Sequence, residues 1–436
     1  MKLNLFSPLP PTRSDIARLT TNLLPLLAAK AEVVVWSSEA KWEFEPPSGV
    51  SIRHYEVKHP PWREISDADV TFYQMGNDPR YHHAIWQISR QHPGIVILHD
   101  VMLQHFFSGL VFHDAGLNRR EYLELVERYH RVKGRVAAET HLNGLLSTEE
   151  LAEICPLTEA AIENALAVVV HSEAAFTALP ADISAALLPL CVGAPLPDIA
   201  PAGSRSPTEP YRITMFGFLG PNRRLPTLVR ALATFEPRDR FRLNVYGTMD
   251  GAEKMEQLIC RLGLSESVRL HGFVDAAALD AALRTTDLVV NLRDPSMGEA
   301  SGSQLHLWQY GLPSLVTDKA WYATLPPNTA AFVRPEHEIE DIHKHLTAFL
   351  AEPDKYRALG RNGREYVATN HSIERYAKEL LELAQCAADF RARWIARDLA
   401  QHAASTMNAW SGETLARNVT EQIRQLTAST FVPSGR

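Results

Sequence analysis

Short apolar runs recur along this chain, and stretches of helical spacing or turn-forming residues separate them. The first run is residues 2–6, followed by the loop SPLPPTRSD. Ile16, Leu19, Leu23, Leu26 and Leu27 then repeat at helical spacing. Further runs at 33–36, 51–55, 70–73, 95–98 and 168–170 complete a first series. A second series follows at 213–216, 243–246, 268–270, 288–292, 315–317 and 331–333, with helical patterns centred near Leu228, Leu258, Leu279 and Leu307 between its members. Such alternation predicts βαβ units and parallel sheets. Two consecutive series predict an α/β chain of two Rossmann-like domains facing a cleft.

Punctuation between the series sets the boundaries. Prolines crowd 189–211, with Gly193 and Gly203 among them, which predicts a stiff, extended linker. The reading is a first domain at 1–190, a linker at 191–211, a second domain at 212–372 and C-terminal helices at 373–436. Residues 101–165 carry no strand pattern and read as a helical insertion, either a structural crossover or a cover for an acceptor. Past 388, Ile395, Leu399, Ala403 and Met407 repeat every four residues, and Leu415, Val419 and Ile423 do so again. These amphipathic helices fit packing on the protein's own surface. A membrane-surface or protein contact through 389–427 is the alternative, since Arg391, Arg393 and Arg397 add basic character.

Composition narrows the function classes. At 436 residues the chain is too long for a single core. A net charge of −7 argues against a general nucleic-acid binder. Cys155, Cys191, Cys260 and Cys386 are scattered without metal-ligand spacing and read as reduced thiols of a cytoplasmic protein. No 18-residue apolar run is present, and MKLNLFSPLPP lacks the apolar core of a signal peptide.

The richest chemistry lies in 291–318, NLRDPSMGEASGSQLHLWQYGLPSLVTD. A buried strand leads into a loop broken by Pro295, Gly298 and Gly302, and then into a helix over 303–310 that Gly311 ends. Backbone N–H groups at Ser301, Gly302 and Ser303 would open that helix and, with its dipole, favour a phosphate. Glu299 at the mouth would repel phosphate but accept hydrogen bonds from hydroxyls. A phosphate site beside a hydroxyl acceptor points to a sugar nucleotide. His99 and Asp100 end the strand at 95–98, where ligands of open α/β sheets bind. A metal reading of His99, Asp100, His105, His113 and Asp114 fits no ligand spacing.

These residues resemble the donor site of the family-4 retaining glycosyltransferases, whose fold is GT-B. Gly311-Leu312-Pro313 matches the end of the family's donor helix. In that register Glu299 stands for the first of two glutamates, one residue closer than in the family, and His306 takes the place of the second. The resemblance implies that Glu299 lies by the transferred sugar and that position 306 faces the nucleotide ribose. Phe216 to Arg224, FGFLGPNRR, is similar to the family's diphosphate-binding segment. Arg223 there falls on the family's Lys, Phe218 replaces its Arg, Gly217 opens the loop, and Arg224 is a second candidate cation. A pair of Arg at a helix start is otherwise poorly placed against the dipole, which favours a ligand role over a solvated helix end. Gly272-Phe273-Val274 is similar to the segment near the base. His99 matches a histidine close to the transferred sugar. Asp15 and Asp100 are acceptor-side candidates, with helix capping the alternative for Asp15. HSIERYAKELLEL resembles the helix that returns to the first domain. The implied activity is transfer of a sugar from a nucleoside-diphosphate sugar to a glycan, lipid-linked or small-molecule hydroxyl, with no cofactor or metal. A sugar-nucleotide epimerase, a phosphorylase or a non-catalytic partner subunit on the same fold remain alternatives.

Overall fold

The computed structural model describes residues 1–12, 14–113, 116–193, 196–198, 209–411 and 430–431. Asp114, most of the Pro-rich stretch and the repeat Leu415, Val419 and Ile423 lie outside them. The chain forms two compact units, residues 1–193 with 297–300 and 373–436, and residues 194–296 with 301–372.

The first unit is built on β1 (Lys2–Phe6), β2 (Glu32–Ser37), β3 (Val50–His54), β4 (Val70–Met75), β5 (Ile95–Leu98), β6 (Ala167–Val170) and β7 (Ala185–Leu187). Every neighbouring pair is parallel, in the order β7-β6-β5-β4-β1-β2-β3, and the C-terminal strand Thr430–Phe431 pairs with the outer edge of β7. The expectation that the strand series closes at 168–170 is therefore corrected. Ala185–Leu187 is too short, and too poor in β-branched residues, to register as a strand by pattern.

Period-two alternation sends the two faces of this sheet into different cores. Leu3, Leu5, Val33, Val35, Phe72 and Ile97 pack with the helices Asp15–Ala28 and Ile373–Gln385. Phe6, Val34, Trp36, Tyr73, Val96 and Val168 pack with the helices of the insertion. Gln104–Phe112, Arg119–Leu142, Thr148–Ile154 and Thr158–Ala161 make up that insertion, and Phe106, Phe107, Tyr122 and Val126 anchor it. It is thus part of the unit's core. Asn118 with Glu121, and Ser147 with Glu150, form capping boxes that fix two of its helix starts. The first helix is capped by Ser14, whose hydroxyl accepts from the Ile16 N–H at 3.2 Å. Asp15 is therefore not the cap. It sits in the first turn, exposed and paired with Arg18 at 3.2 Å.

The second unit carries β8 (Tyr211–Phe216), β9 (Phe241–Tyr246), β10 (Val268–Gly272), β11 (Leu288–Asn291), β12 (Ser314–Thr317) and β13 (Ala331–Val333). They are all parallel, in the order β10-β9-β8-β11-β12-β13. Strand order reverses between β8 and β11, which makes the loops after those two strands the natural ligand edge.

Helix Ile373–Gln385 buries Tyr376, Ala377, Leu380, Leu383 and Ala384 along one stripe against the first unit's core. The next helix, Ala387–Ser411, packs through Ala387, Phe390 and Trp394, and the Arg397 guanidinium donates to the Ala165 carbonyl at 3.2 Å. Ile395 and Leu399, expected on the packed face, are 45% and 64% exposed. No helix among the described residues is long and apolar enough to cross a membrane. Leu380 is 1% exposed. Its replacement by Ala should lower unfolding stability by roughly 2–5 kcal/mol, because the rigid core around it closes only partly over the missing atoms. Urea unfolding measures this, and a change below about 1 kcal/mol would show that the returning helix is not part of the first unit's cooperative core.

Candidate functional site

In the first unit the carboxyl ends of β4, β5 and β6 bring three histidines and an amide together. Gln74 lies on β4, His99 directly follows β5, and His171 directly follows β6. His99 donates its backbone N–H to the Met75 carbonyl at 2.9 Å, and its Nε2 lies 2.6 Å from Gln74 Oε1. The His99 and His171 rings are 4.9 Å apart, and His171 is 5.9 Å from the Tyr376 ring. His171 Nδ1 donates to the Leu188 carbonyl at 2.9 Å, and His82 Nδ1 to the Gln74 carbonyl at 3.0 Å. Burial pushes His82 and His171 down to about 4. His99 falls well below its ordinary value, first through burial and then through His171 and His82. At neutral pH this edge presents uncharged imidazoles. Asp100 Oδ2 accepts from the Asn77 N–H at 3.1 Å and so helps shape the turn after β4.

Residues 297–300 group with this first unit rather than with the elements that flank them in sequence. The Met297 carbonyl accepts from the N–H groups of Val101 and Met102 at 3.0 and 3.1 Å. Ser172 Oγ donates to the Gly298 carbonyl at 3.1 Å. Gly298 has φ +81°, and a Cβ there would stand 2.0 Å from Val101 Cγ2. Glu299, 9% exposed, accepts from the Met297 N–H at 2.7 Å. His99, Asp100 and Glu299 therefore belong to one compact body, and Asp15 stands on its first helix.

The second unit's edge is different. β8, β9 and β10 each end in an aromatic residue and a glycine of positive φ: Phe216-Gly217 (+113°), Tyr246-Gly247 (+138°) and His271-Gly272 (+67°). Gly217 N–H donates to the Tyr246 carbonyl at 3.0 Å and Gly247 N–H to the Gly272 carbonyl at 2.7 Å. A Cβ on Gly247 would lie 1.8 Å from the Gly217 carbonyl oxygen. Sequence reasoning named Gly217 but missed Gly247, although the aromatic–glycine pair repeats at all three strand ends.

Arg223 is 3% exposed, which corrects its expected place at an open helix start. The 3-10 turn Pro221–Arg223 folds the side chain inward, and Nη2 donates to the Phe216 carbonyl at 2.9 Å. Arg224 follows with φ +59° and grips Glu338 with both forks, Nε to Oε1 at 2.8 Å and Nη2 to Oε2 at 2.6 Å. That carboxylate offsets a cation otherwise poorly placed at the start of helix Leu225–Thr234. The His306 ring meets Phe216 edge-on at 5.7 Å and lies 5.7 Å from the Tyr310 ring. Gly217, Arg223 and His306 thus gather around Phe216. Val274, half-buried, directly precedes Asp275, which caps helix Ala276–Arg284.

Helix Gly302–Gln309 is pinned by a buried network. Ser301 Oγ accepts from Gln304 N–H at 3.2 Å, Asn291 Nδ2 donates to Gln304 Oε1 at 2.8 Å, and Gln304 Nε2 donates to Ser314 Oγ at 2.7 Å. Ser303 Oγ donates to Asn291 Oδ1 at 3.2 Å. The serine hydroxyls are spent on the scaffold, so the helix offers a ligand its first-turn amides and dipole. Neighbouring loops are tied to one another, with the Asp294 N–H donating to the Asn222 carbonyl at 2.8 Å. Lys319 Nζ bonds Asp294 at 2.9 Å, a cation that pattern reading did not single out.

Residues 198–366 match the family described as "Glycosyl transferases group 1". No curated protein matches the chain by sequence. Among solved structures, sucrose-phosphate synthase from Thermosynechococcus elongatus aligns with a TM-score of 0.60 at 17% identity, covering 88% of this chain and 98% of that one. HepE from Anabaena in complex with UDP aligns at 0.56 and 14%, covering 88% and 99%. WaaG, a glycosyltransferase involved in lipopolysaccharide biosynthesis, aligns at 0.53 and 16%, covering 87% and 99%. These likenesses establish the GT-B fold.

The buried histidines make stability depend on acid. His82 and His171 titrate near 4 when folded and near 6.5 when unfolded, so between those values the unfolded chain binds the extra protons. Their contribution is full above pH 6.5 and is lost as pH falls toward 4, by roughly 2 kcal/mol each at about pH 5. The urea midpoint should therefore drop between pH 7 and 5, and a constant midpoint would overturn the buried neutral assignment.

Proposed function

We propose, for a chain whose residues 198–366 form a glycosyl transferases group 1 domain, that it moves a sugar from a nucleoside-diphosphate donor to an acceptor hydroxyl with retention of anomeric configuration. One observation carries this reading: the glycine edge of the second unit, with buried Arg223 at Phe216 and a helix start pinned by Asn291, Gln304 and Ser314. Backbone at such an edge allows close approach of a diphosphate, the fixed amides and guanidinium bear its charge, and none of them has to reorganise.

In the step proposed, the bond from the sugar's anomeric carbon to the diphosphate oxygen breaks. A bond to the acceptor oxygen forms on the same face, and the acceptor's proton passes to the departing diphosphate. Products are the glycoside and free nucleoside diphosphate. Arg223 and the amides of Ser301, Gly302 and Ser303 neutralise the leaving group, and His99 and Glu299 hold sugar hydroxyls. Positioning and charge neutralisation supply the acceleration, and the reading needs no divalent cation. Acceptors in keeping with it are glycans, lipid-linked sugars or small molecules of polysaccharide and glycoconjugate synthesis.

A thermal-shift panel of nucleoside diphosphates and their sugars tests donor binding, with uridine diphosphate first because HepE holds UDP. Incubation with a glycan acceptor should release free nucleoside diphosphate and extend the glycan. Epimerised sugar nucleotide without release would replace transfer by epimerisation, and no stabilisation by any nucleotide would favour a non-catalytic partner subunit.

Two variants divide the labour. Glu299→Ala should lower transfer by about a hundredfold and leave nucleoside-diphosphate affinity within about twofold, because its partners are sugar hydroxyls. Arg223→Lys keeps the charge but loses the fork, and should weaken nucleoside-diphosphate binding by about tenfold in calorimetric titration. Equal losses of nucleotide affinity in both would remove the distinction between sugar and diphosphate contacts.

A further inference from the structure

Gln74 has no place in the reading so far, and its surroundings give it one. The side chain is fully buried at the carboxyl end of β4. Its Oε1 lies 2.6 Å from His99 Nε2, the shorter of the hydrogen bonds that place His99. An amide oxygen only accepts, so the nitrogen facing it carries the proton. The structure assigns to Gln74 a positioning role: it holds His99 as the Nε2–H tautomer, so that Nδ1 serves as a neutral acceptor for a substrate hydroxyl. This assignment rests on the glycosyl-transfer reading for the identity of that hydroxyl, but not for the tautomer.

The chemistry differs from that of a general base. A histidine that must take a proton is commonly backed by a carboxylate, which stabilises the imidazolium. Here the backing group is an uncharged amide. The titratable neighbours also oppose a positive charge: His171 lies 4.9 Å away, and His82 is held to the Gln74 carbonyl. Both are buried, and each keeps Nδ1 on a backbone carbonyl, which leaves its Nε2 as an acceptor. Asp100, next in sequence, directs a carboxylate oxygen to the Asn77 N–H. Tyr376 closes the group behind His171, and its burial holds the phenol well above its ordinary value, in the neutral form. The edge is therefore built for hydrogen bonding to neutral hydroxyls. Gln74 sets which nitrogen of His99 takes part.

Nitrogen-15 NMR of histidine-labelled full-length protein tests the assignment without any substrate. The His99 resonances are identified by their loss in His99→Asn. The wild type should show the Nε2–H tautomer, unprotonated, from about pH 6 to 8. In Gln74→Glu the carboxylate should bring imidazolium into that range, and in Gln74→Leu the tautomers should mix. Transfer assays then read the consequence. Gln74→Glu should lose about tenfold or more in kcat/KM near pH 7 and recover as pH rises and the imidazolium releases its proton. An Nδ1–H tautomer in the wild type, or an unshifted His99 in Gln74→Glu, would overturn the proposal even if the protein is an active transferase. The expected tautomer with no transfer to any acceptor would instead leave Gln74 in its role and remove the glycosyl-transfer reading.

Discussion

Gly298 is the point on which the first unit's site turns. Its positive φ carries the chain past Val101 at a distance that leaves no room for a side chain. Because the backbone passes there, the Met297 carbonyl can take two N–H groups from Val101 and Met102, and Ser172 can hold the Gly298 carbonyl. Glu299 is fixed as a consequence, with its carboxylate turned onto the Met297 N–H. A four-residue segment is thus fastened to Val101, Met102 and Ser172, partners more than a hundred residues away in sequence. The boundary then falls between Ala300 and Ser301, and the helix start that follows belongs to the second unit.

The two units solve opposite electrostatic problems at the same topological place, the carboxyl edge of a parallel sheet. In the first, burial strips charge from His82, His99 and His171 and leaves donors and acceptors without net charge. In the second, a guanidinium is kept nearly buried with a carbonyl partner, and a helix start adds its dipole. Arg223 is held by the Phe216 carbonyl, and Arg224 beside it pairs with Glu338. A hydroxyl-bearing group suits the first edge and an anion suits the second.

Most of this architecture is legible in the sequence because it rests on local signals. Strands Lys2–Phe6, Ile95–Leu98 and Ala331–Val333 fall where the apolar runs place them, and helix Gly302–Gln309 lies within a residue of its expected span. What escapes pattern reading depends on partners distant in sequence. Arg223 looks like an exposed helix-start residue until a 3-10 turn folds it under Phe216. Ser14 outcompetes Asp15 as a cap by one position, a choice of local geometry that composition does not decide. Ile395 and Leu399 keep a helical period, yet the helix turns Phe390 and Trp394 to the core. Gln74 carries no motif at all. Its meaning comes from His99, 25 residues away on the next strand.

Phe216 shows why departures from a family pattern need not be independent. Its carbonyl takes Arg223 and its ring meets His306 edge-on, so one residue ties together the two positions that the resemblance assigns to diphosphate and ribose. An aromatic ring presents a negative face and a positive edge, and an imidazole packs against it in a T-shaped contact that a carboxylate cannot reproduce. Replacing a carboxylate by imidazole also removes one negative charge from the edge that Arg223 serves, which strengthens the field acting on an anion there. In the proposed reading an imidazole at 306 therefore gives up the paired acceptance from two neighbouring hydroxyls and raises the attraction for phosphate. That imidazole is compatible with a diphosphate beside it, because the helix start there is held by Asn291, Gln304 and Ser314 and not by the side chain at 306.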